Sequence, residues 1–168
     1  MLTALQQRVA RLFLGLPEAQ RFALAGGAAL VLRGEVERRT EDLDFFAPAA
    51  EDVRPAAGAF RLALVDEGLR SEVVRSGPAF ARLVVRAEDG QSVLVDLGYD
   101  HRMRAAGQRD IGPVLALEEL AADKFLALFG RAKAHDFVDV YALAQLLSVD
   151  ALLGLAPGRA QRPAGMTF

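Results

Sequence analysis

The chain is 168 residues long, 52% hydrophobic and 25% charged, with a formal net charge of −2. That length suits one domain with a full core, and that composition excludes a disordered or fibrous protein. The absence of cysteine excludes disulfides and thiolate metal sites, and the slightly negative charge excludes a surface uniformly basic for polyanion binding while permitting a local basic patch.

The first predicted element is an amphipathic helix over roughly residues 2–16, broken by Arg8 and Arg11 and ended near Pro17. Those charges interrupt the apolar stretch that a signal peptide requires. No run approaches the roughly eighteen apolar residues of a transmembrane helix, so the expectation is a soluble cytoplasmic protein with no membrane partner. Phe22 to Ala25 is short and extended, Gly26-Gly27 turns it, and residues 28–34 form a short helix closed by Gly34. Asp42 to Phe46 is a buried strand stopped by Pro48. A helix follows from about Arg54 to Leu69, with Leu62, Val65 and Leu69 at helical spacing. Next come three strand-like runs, SEVVRS, FARLVVRA and SVLVDLG. The Glu88-Asp89-Gly90-Gln91 segment between the second and third is a hairpin signal. His101 to Pro113 reads as polar and irregular. Residues 117–130 form a helix with Gly130 as its C-cap, and another helix runs from about His135 to Leu147. Strands in the middle and helices at both ends predict an α+β fold, a mixed central sheet flanked by helices. A single domain is expected over residues 1–155, with 156–168 as a loose Gly- and Pro-rich tail.

The chemistry concentrates in FALAGGAALVLRGEVERRTEDLDFF, residues 22–46. Asp42 and Asp44, two apart on a strand, point to one side, while Leu43 and Phe45 point to the other. Paired hard oxygen donors suit Mg²⁺ (or Mn²⁺), and Mg²⁺ usually completes its shell with substrate phosphate and water. Asp96 ends the apolar run Val93 to Val95, where a charge is costly to bury unless paired or on a metal. It is the expected third ligand, with a plain strand-end cap as the alternative. Gly26 and Gly27 carry no side chains to block a phosphate, and the helix after them offers unsatisfied N–H groups and a positive dipole end. This combination points to nucleotide chemistry.

Lys124 follows Leu120 by four residues and precedes Leu128 by four, so it borders an apolar stripe where an ammonium needs a partner or a ligand. A triphosphate is one such ligand; snorkelling at the stripe edge is the other reading. Asp136 and Asp139 share a helix face, and capping alone accounts for Asp136. Of the basic residues, eighteen are Arg and two are Lys. Both lysines, Lys124 and Lys133, fall in this one segment. Arg33, Arg38 and Arg39 form one sequence cluster and Arg102, Arg104 and Arg109 another, each serving equally as solvated surface or as a nucleic-acid contact. His101 receives no role.

The stretch GGAALVLRGEVERRTEDLDFF resembles the first motif of the AbiEii/AbiGii-type nucleotidyltransferases, members of the DNA polymerase β-like superfamily that include the MenT-type toxins. Arg39, Thr40, Asp42, Asp44 and Phe45 fill its Arg-Thr-x-Asp-x-Asp-Phe pattern. Lys124 with Leu128, or Ala127 at one residue less, matches the Lys-x-x-x-Ala motif. RAKAHDFVDVYAL matches the third, with His135 where the family usually has Arg. The resemblance covers residues 20 to 147 and keeps the motifs in order. It implies a polymerase β-like fold with catalytic roles for Asp42, Asp44, Lys124 and Asp136. It implies nucleotide and phosphate contacts from Arg39, Thr40 and Lys124 beside Gly26 and Gly27, while the reading of the residues themselves has Asp139 in support, orienting Lys124, Arg131 or Lys133. The implied activity is transfer of a nucleotide from an NTP to an acceptor with release of pyrophosphate. The implied acceptor is the 3′ end of tRNA, and the implied partner is an antitoxin protein. A protein hydroxyl or a small molecule as acceptor, and a nucleotide-binding module without turnover, are the alternatives.

Overall fold

The computed structural model of the chain describes residues 1–130, 134–148, 150–151 and 154. Arg131, Lys133 and the tail expected beyond residue 155 lie outside the described residues. Helix α1 (Ala4–Leu14) is started by a reciprocal cap: the Gln6 backbone N–H donates to the Thr3 hydroxyl, and the Thr3 N–H donates to the Gln6 side chain. One 3₁₀ turn leads into strand β1 (Ala23–Ala25). Helix α2 (Gly26–Arg33) begins on the glycine pair and stops at Gly34, which takes the left-handed conformation that glycine tolerates best. Strand β2 (Asp42–Ala47), helix α3 (Val53–Asp66) and strands β3 (Arg70–Ser76), β4 (Phe80–Arg86) and β5 (Ser92–Tyr99) follow. The β4–β5 hairpin turns at Asp89-Gly90, as its sequence signals.

The segment from His101 to Pro113, expected to be irregular, instead contains a small hairpin. Its strands are β6 (Gly107–Arg109) and β7 (Gly112–Val114), and β7 pairs in parallel with β1 at Leu24. Runs of three residues carrying Gly and Pro hold no readable alternation. Pairing with a neighbour already in place, aided by the Leu115 N–H donating to the Leu24 carbonyl at 2.9 Å, defines this strand. Helices α4 (Leu117–Gly130) and α5 (Ala134–Ala144) follow, and the cap expected at Gly130 borders residues outside the described ones.

The strands form a mixed seven-stranded sheet among the described residues, ordered β3-β4-β5-β2-β1-β7-β6. β2 lies parallel to β5 and β1 to β7, while the remaining neighbours are antiparallel. Leu43, Phe45, Leu83, Val85, Val95 and Leu97 are fully buried. By alternation they share the face covered by α1 and α3. Phe13 knits this core, its ring centroid 4.6 Å from that of Phe45 and 5.1 Å from those of Phe22 and Phe60. Helices α2, α4 and α5 gather on the opposite face, at the β1–β2 side. That leaves the polar residues of β2, β5 and β4 on a second face, walled by helices toward β1 and open toward β3.

Candidate active site

Asp42 and Asp44 stand on that second face, half-buried, while Leu43 and Phe45 between and beyond them are fully buried below. The Thr40 hydroxyl donates to Asp42 Oδ1 at 3.1 Å, and the Gln6 amide donates to the Thr40 carbonyl at 2.7 Å, so α1 helps fix the approach to β2. Asp44 pairs with Ala25 on β1, which brings it against the start of α2. Gly26 has φ 60°, and a Cβ there would lie 1.8 Å from Asp44 Oδ2. A Cβ on Gly27 would lie 2.5 Å from Arg38 Nη2 and 3.2 Å from the Thr40 hydroxyl. The glycine pair is therefore required by close approach of its own neighbours as well as by the turn. Ala25 supplies no side-chain cap to α2, so its leading N–H groups lie where an anion would be received, beside the carboxylates.

Asp96 lies on β5 directly opposite Asp44. It is almost completely buried and accepts from Arg82 on β4 through both oxygens, Nε at 2.7 Å and Nη2 at 2.5 Å. The hydrogen bond to Asp96 raises the Arg82 pKa against the opposing effect of burial, with the charges of Asp96, Asp44 and Asp42 adding to it. The third carboxylate is thus in register with the pair but held by an arginine. Among the described residues no group of three or more His, Asp or Glu side chains is gathered for a metal. The two-carboxylate donor set nevertheless fits a hard divalent cation that retains water and phosphate ligands. The bare Gly26 Cα lets the Asp44 carboxylate close up against the start of α2, where a Cβ would collide with it.

A buried ionic chain runs alongside. Arg38 Nε and Nη2 donate to the two oxygens of Asp139 at 2.6 and 2.7 Å. Lys124 Nζ lies 2.9 Å from Asp139 Oδ2 and 3.4 Å from Asp136 Oδ1. His135 Nε2 approaches the same Asp136 oxygen at 3.5 Å. Both aspartates are fully buried. Burial pushes the Asp139 carboxyl up, and this is outweighed by the hydrogen bonds and charges of Arg38 and Lys124, which hold it below the ordinary carboxylate value. The bond to Asp139 likewise raises Arg38.

The structure therefore brings Gly26, Gly27, Thr40, Asp42, Asp44, Lys124, Asp136 and Asp139 together, with Asp96 adjoining through the sheet. Arg39, expected at the nucleotide, is exposed, and its carbonyl accepts from Arg38 Nη1 at 2.9 Å. Arg38 occupies the inward position instead. The sequence held no local signal for it, since the chain bends at Arg38 and the alternation of β2 begins only at Asp42. Arg82 was also missed, because its tie to Asp96 depends on a cross-strand register that no local pattern reveals. Arg131 and Lys133 lie outside the described residues.

Gly26→Ala is expected to lower nucleotide transfer by about a hundredfold, the scale of an ångström-sized misplacement of a reacting group. The new methyl meets Asp44, and a left-handed residue other than glycine adds about 1–3 kcal/mol of strain. Initial transfer rates and a thermal melt check both effects.

Among solved structures, JHP933 from Helicobacter pylori resembles the chain with TM-score 0.64 and 20% identity, over 94% of this chain and 73% of that one. MenT4, a nucleotidyltransferase toxin from Mycobacterium tuberculosis H37Rv, gives TM-score 0.64 at 23% identity over 91% of this chain and 62% of its own. ANT(2″)-Ia, in complex with adenylyl-2″-tobramycin, gives 0.62 at 14% identity over 95% and 99%. At these identities the likeness is one of fold. No curated protein matches the chain by sequence. A family model described as the nucleotidyl transferase AbiEii toxin of a type IV toxin–antitoxin system matches residues 10–162, nearly the whole chain. The chain belongs to the AbiEii family of nucleotidyltransferase toxins.

Proposed function

We propose that this nucleotidyltransferase moves a nucleoside monophosphate from an NTP to the 3′ end of tRNA, with Mg²⁺ or Mn²⁺, as the toxin of a pair whose antitoxin holds it in check in the cytoplasm. The observation that carries the reading is the Asp42–Asp44 pair seated against the bare backbone of Gly26. In this reading a divalent cation supplies charge neutralisation on the triphosphate and acidifies the attacking hydroxyl. Asp42 and Asp44 hold it, and Asp96 joins them only on exchanging its Arg82 contact. The N–H groups at the start of α2 receive phosphate, and Lys124 adds a point charge held in place by Asp136 and Asp139. The acceptor oxygen bonds to the α-phosphorus as the bond to the bridging oxygen of the β-phosphate breaks. Pyrophosphate leaves, and the hydroxyl proton is released. The toxin family supports the NTP and the antitoxin, and among the described residues no helix is long and apolar enough to cross a membrane.

The test is incubation of the purified protein with total tRNA, Mg²⁺ and each α-³²P-NTP in turn, resolved on a denaturing gel. A labelled tRNA band with a preferred nucleotide is expected. Label migrating with protein or with a small molecule would replace the acceptor, and no label anywhere would overturn the reading.

A further inference from the structure

The sheet register aligns one row of side chains across four strands: Asp44 on β2, Asp96 on β5, Arg82 on β4 and Arg75 on β3. At about 4.8 Å per strand, the row runs roughly 14 Å from the carboxylates to the edge of the sheet. Phe80 lies one pleat along the same face of β4. The guanidinium carbons of Arg75 and Arg82 each lie 5.7 Å from its ring centroid. Strand β3 is exposed at almost every residue, Arg75 included. Arg82 spends Nε and Nη2 on Asp96, which leaves Nη1 outside that pair and the side chain 29% exposed. Of the clusters singled out in the sequence, Arg102 donates to the Phe46 carbonyl, Arg104 lies 3.5 Å from Glu118, Arg33 lies 3.7 Å from Glu35 and Arg38 is bound to Asp139, while Arg39 and Arg109 are exposed.

We propose that Arg75, Phe80 and Arg82 form the docking platform for the single-stranded end of the RNA acceptor, a proposal that rests on the transfer reading above. A ring beside one guanidinium held by Asp96 and another on the exposed edge strand offers a base a stacking surface and its phosphates two donors, the combination used by proteins that grip single strands. The direction fits the site. Helices α2, α4 and α5 enclose the carboxylates on the β1 side, where the nucleotide phosphates are received. The acceptor therefore approaches from β3 and β4, laying its last few nucleotides along the row with its terminal hydroxyl at Asp44.

The experiment is fluorescence anisotropy with a labelled single-stranded RNA bearing a free 3′ hydroxyl, measured across a salt series without NTP. Phe80→Ala and Arg75→Glu are each expected to weaken binding about tenfold, the lower part of the range for losing one stacked base. Arg75→Glu should also flatten the slope of log Kd against log salt by about 0.7 or more, since a phosphate contact is lost, whereas Phe80→Ala should leave the slope unchanged. Phe80→Tyr should restore binding. Arg61→Glu, an equal charge change on the exposed side of α3, should leave it intact. The platform is overturned if Arg75→Glu and Phe80→Ala bind like wild type while wild type still labels RNA, an outcome that leaves the transfer reading standing. Wild type that binds RNA through these residues yet transfers nothing would overturn the transfer reading and keep the platform. Wild type with no affinity for the RNA would overturn the platform outright.

Discussion

Asp42→Asn is expected to lower nucleotide transfer by on the order of a thousandfold or more while leaving the thermal stability close to that of the unaltered protein. The two effects separate because of where the residue sits. Its side chain stands half-buried on the open face of β2, and its one described side-chain partner is the Thr40 hydroxyl. An asparagine oxygen still accepts that bond, and the core beneath, Leu43 and Phe45, is untouched. Loss of one of two neighbouring like charges also relieves repulsion in the absence of a cation. What disappears is half of the hard, charged donor pair, and a neutral amide is a poor substitute for it on a divalent ion. Initial rates of label transfer beside a thermal melt check this. A variant that keeps most of its transfer rate would show that the pair is not where the metal works.

Asp139→Ala should be the most destabilising single change at the site, costing about 3–5 kcal/mol because it strands charge in the interior. Asp139 is fully buried and accepts from Arg38 on one side while pairing with Lys124 on the other. Removing it leaves two cations facing each other across an empty position. A melting temperature lower by on the order of 10 °C follows for a chain of this size. The pH dependence has a definite sign. The Asp139 pKa is lower folded than in a free carboxyl, so its contribution is fully present above the free carboxyl's range and is lost as pH falls below that range through the lowered folded value. The stability gap between the unaltered protein and Asp139→Asn should therefore narrow below about pH 4. A gap that stayed constant down to strongly acid pH would contradict the assignment of the charge to Asp139.

Much of this architecture is legible from residue order alone. The alternation in DLDFF and the Asp-Gly hairpin are local signals, and each became the element it predicts; the glycine pair, expected as a turn, instead opens α2 itself. Local signals fail where partners are distant in sequence. Neither Gly107–Arg109 nor Gly112–Val114 can declare itself a strand, since β7 exists by pairing with β1 across roughly ninety residues. Arg38 lies at a bend before β2, where no alternation separates it from Arg39, and its burial comes from Asp139 on a helix a hundred residues on. Asp96 shows the deeper limit. It lies in the middle of β5 rather than at a strand end, and a carboxylate buried there demands a partner, but a metal and an arginine satisfy the same electrostatic demand. Only the register of β4 against β5 reveals that Arg82 supplies it here.

In the proposed reaction Asp42 and Asp44 direct a nucleoside monophosphate onto the 3′ hydroxyl of an RNA. Parallel reactions with α-³²P- and γ-³²P-NTP, each on intact tRNA and on tRNA whose 3′ terminus has been oxidised with periodate, test it most directly. Label is expected from the α-phosphate alone, on intact tRNA alone, lost on chelation of divalent cations and lost with Asp42→Asn. Label from the γ-phosphate, or equal labelling of the oxidised tRNA, would contradict it.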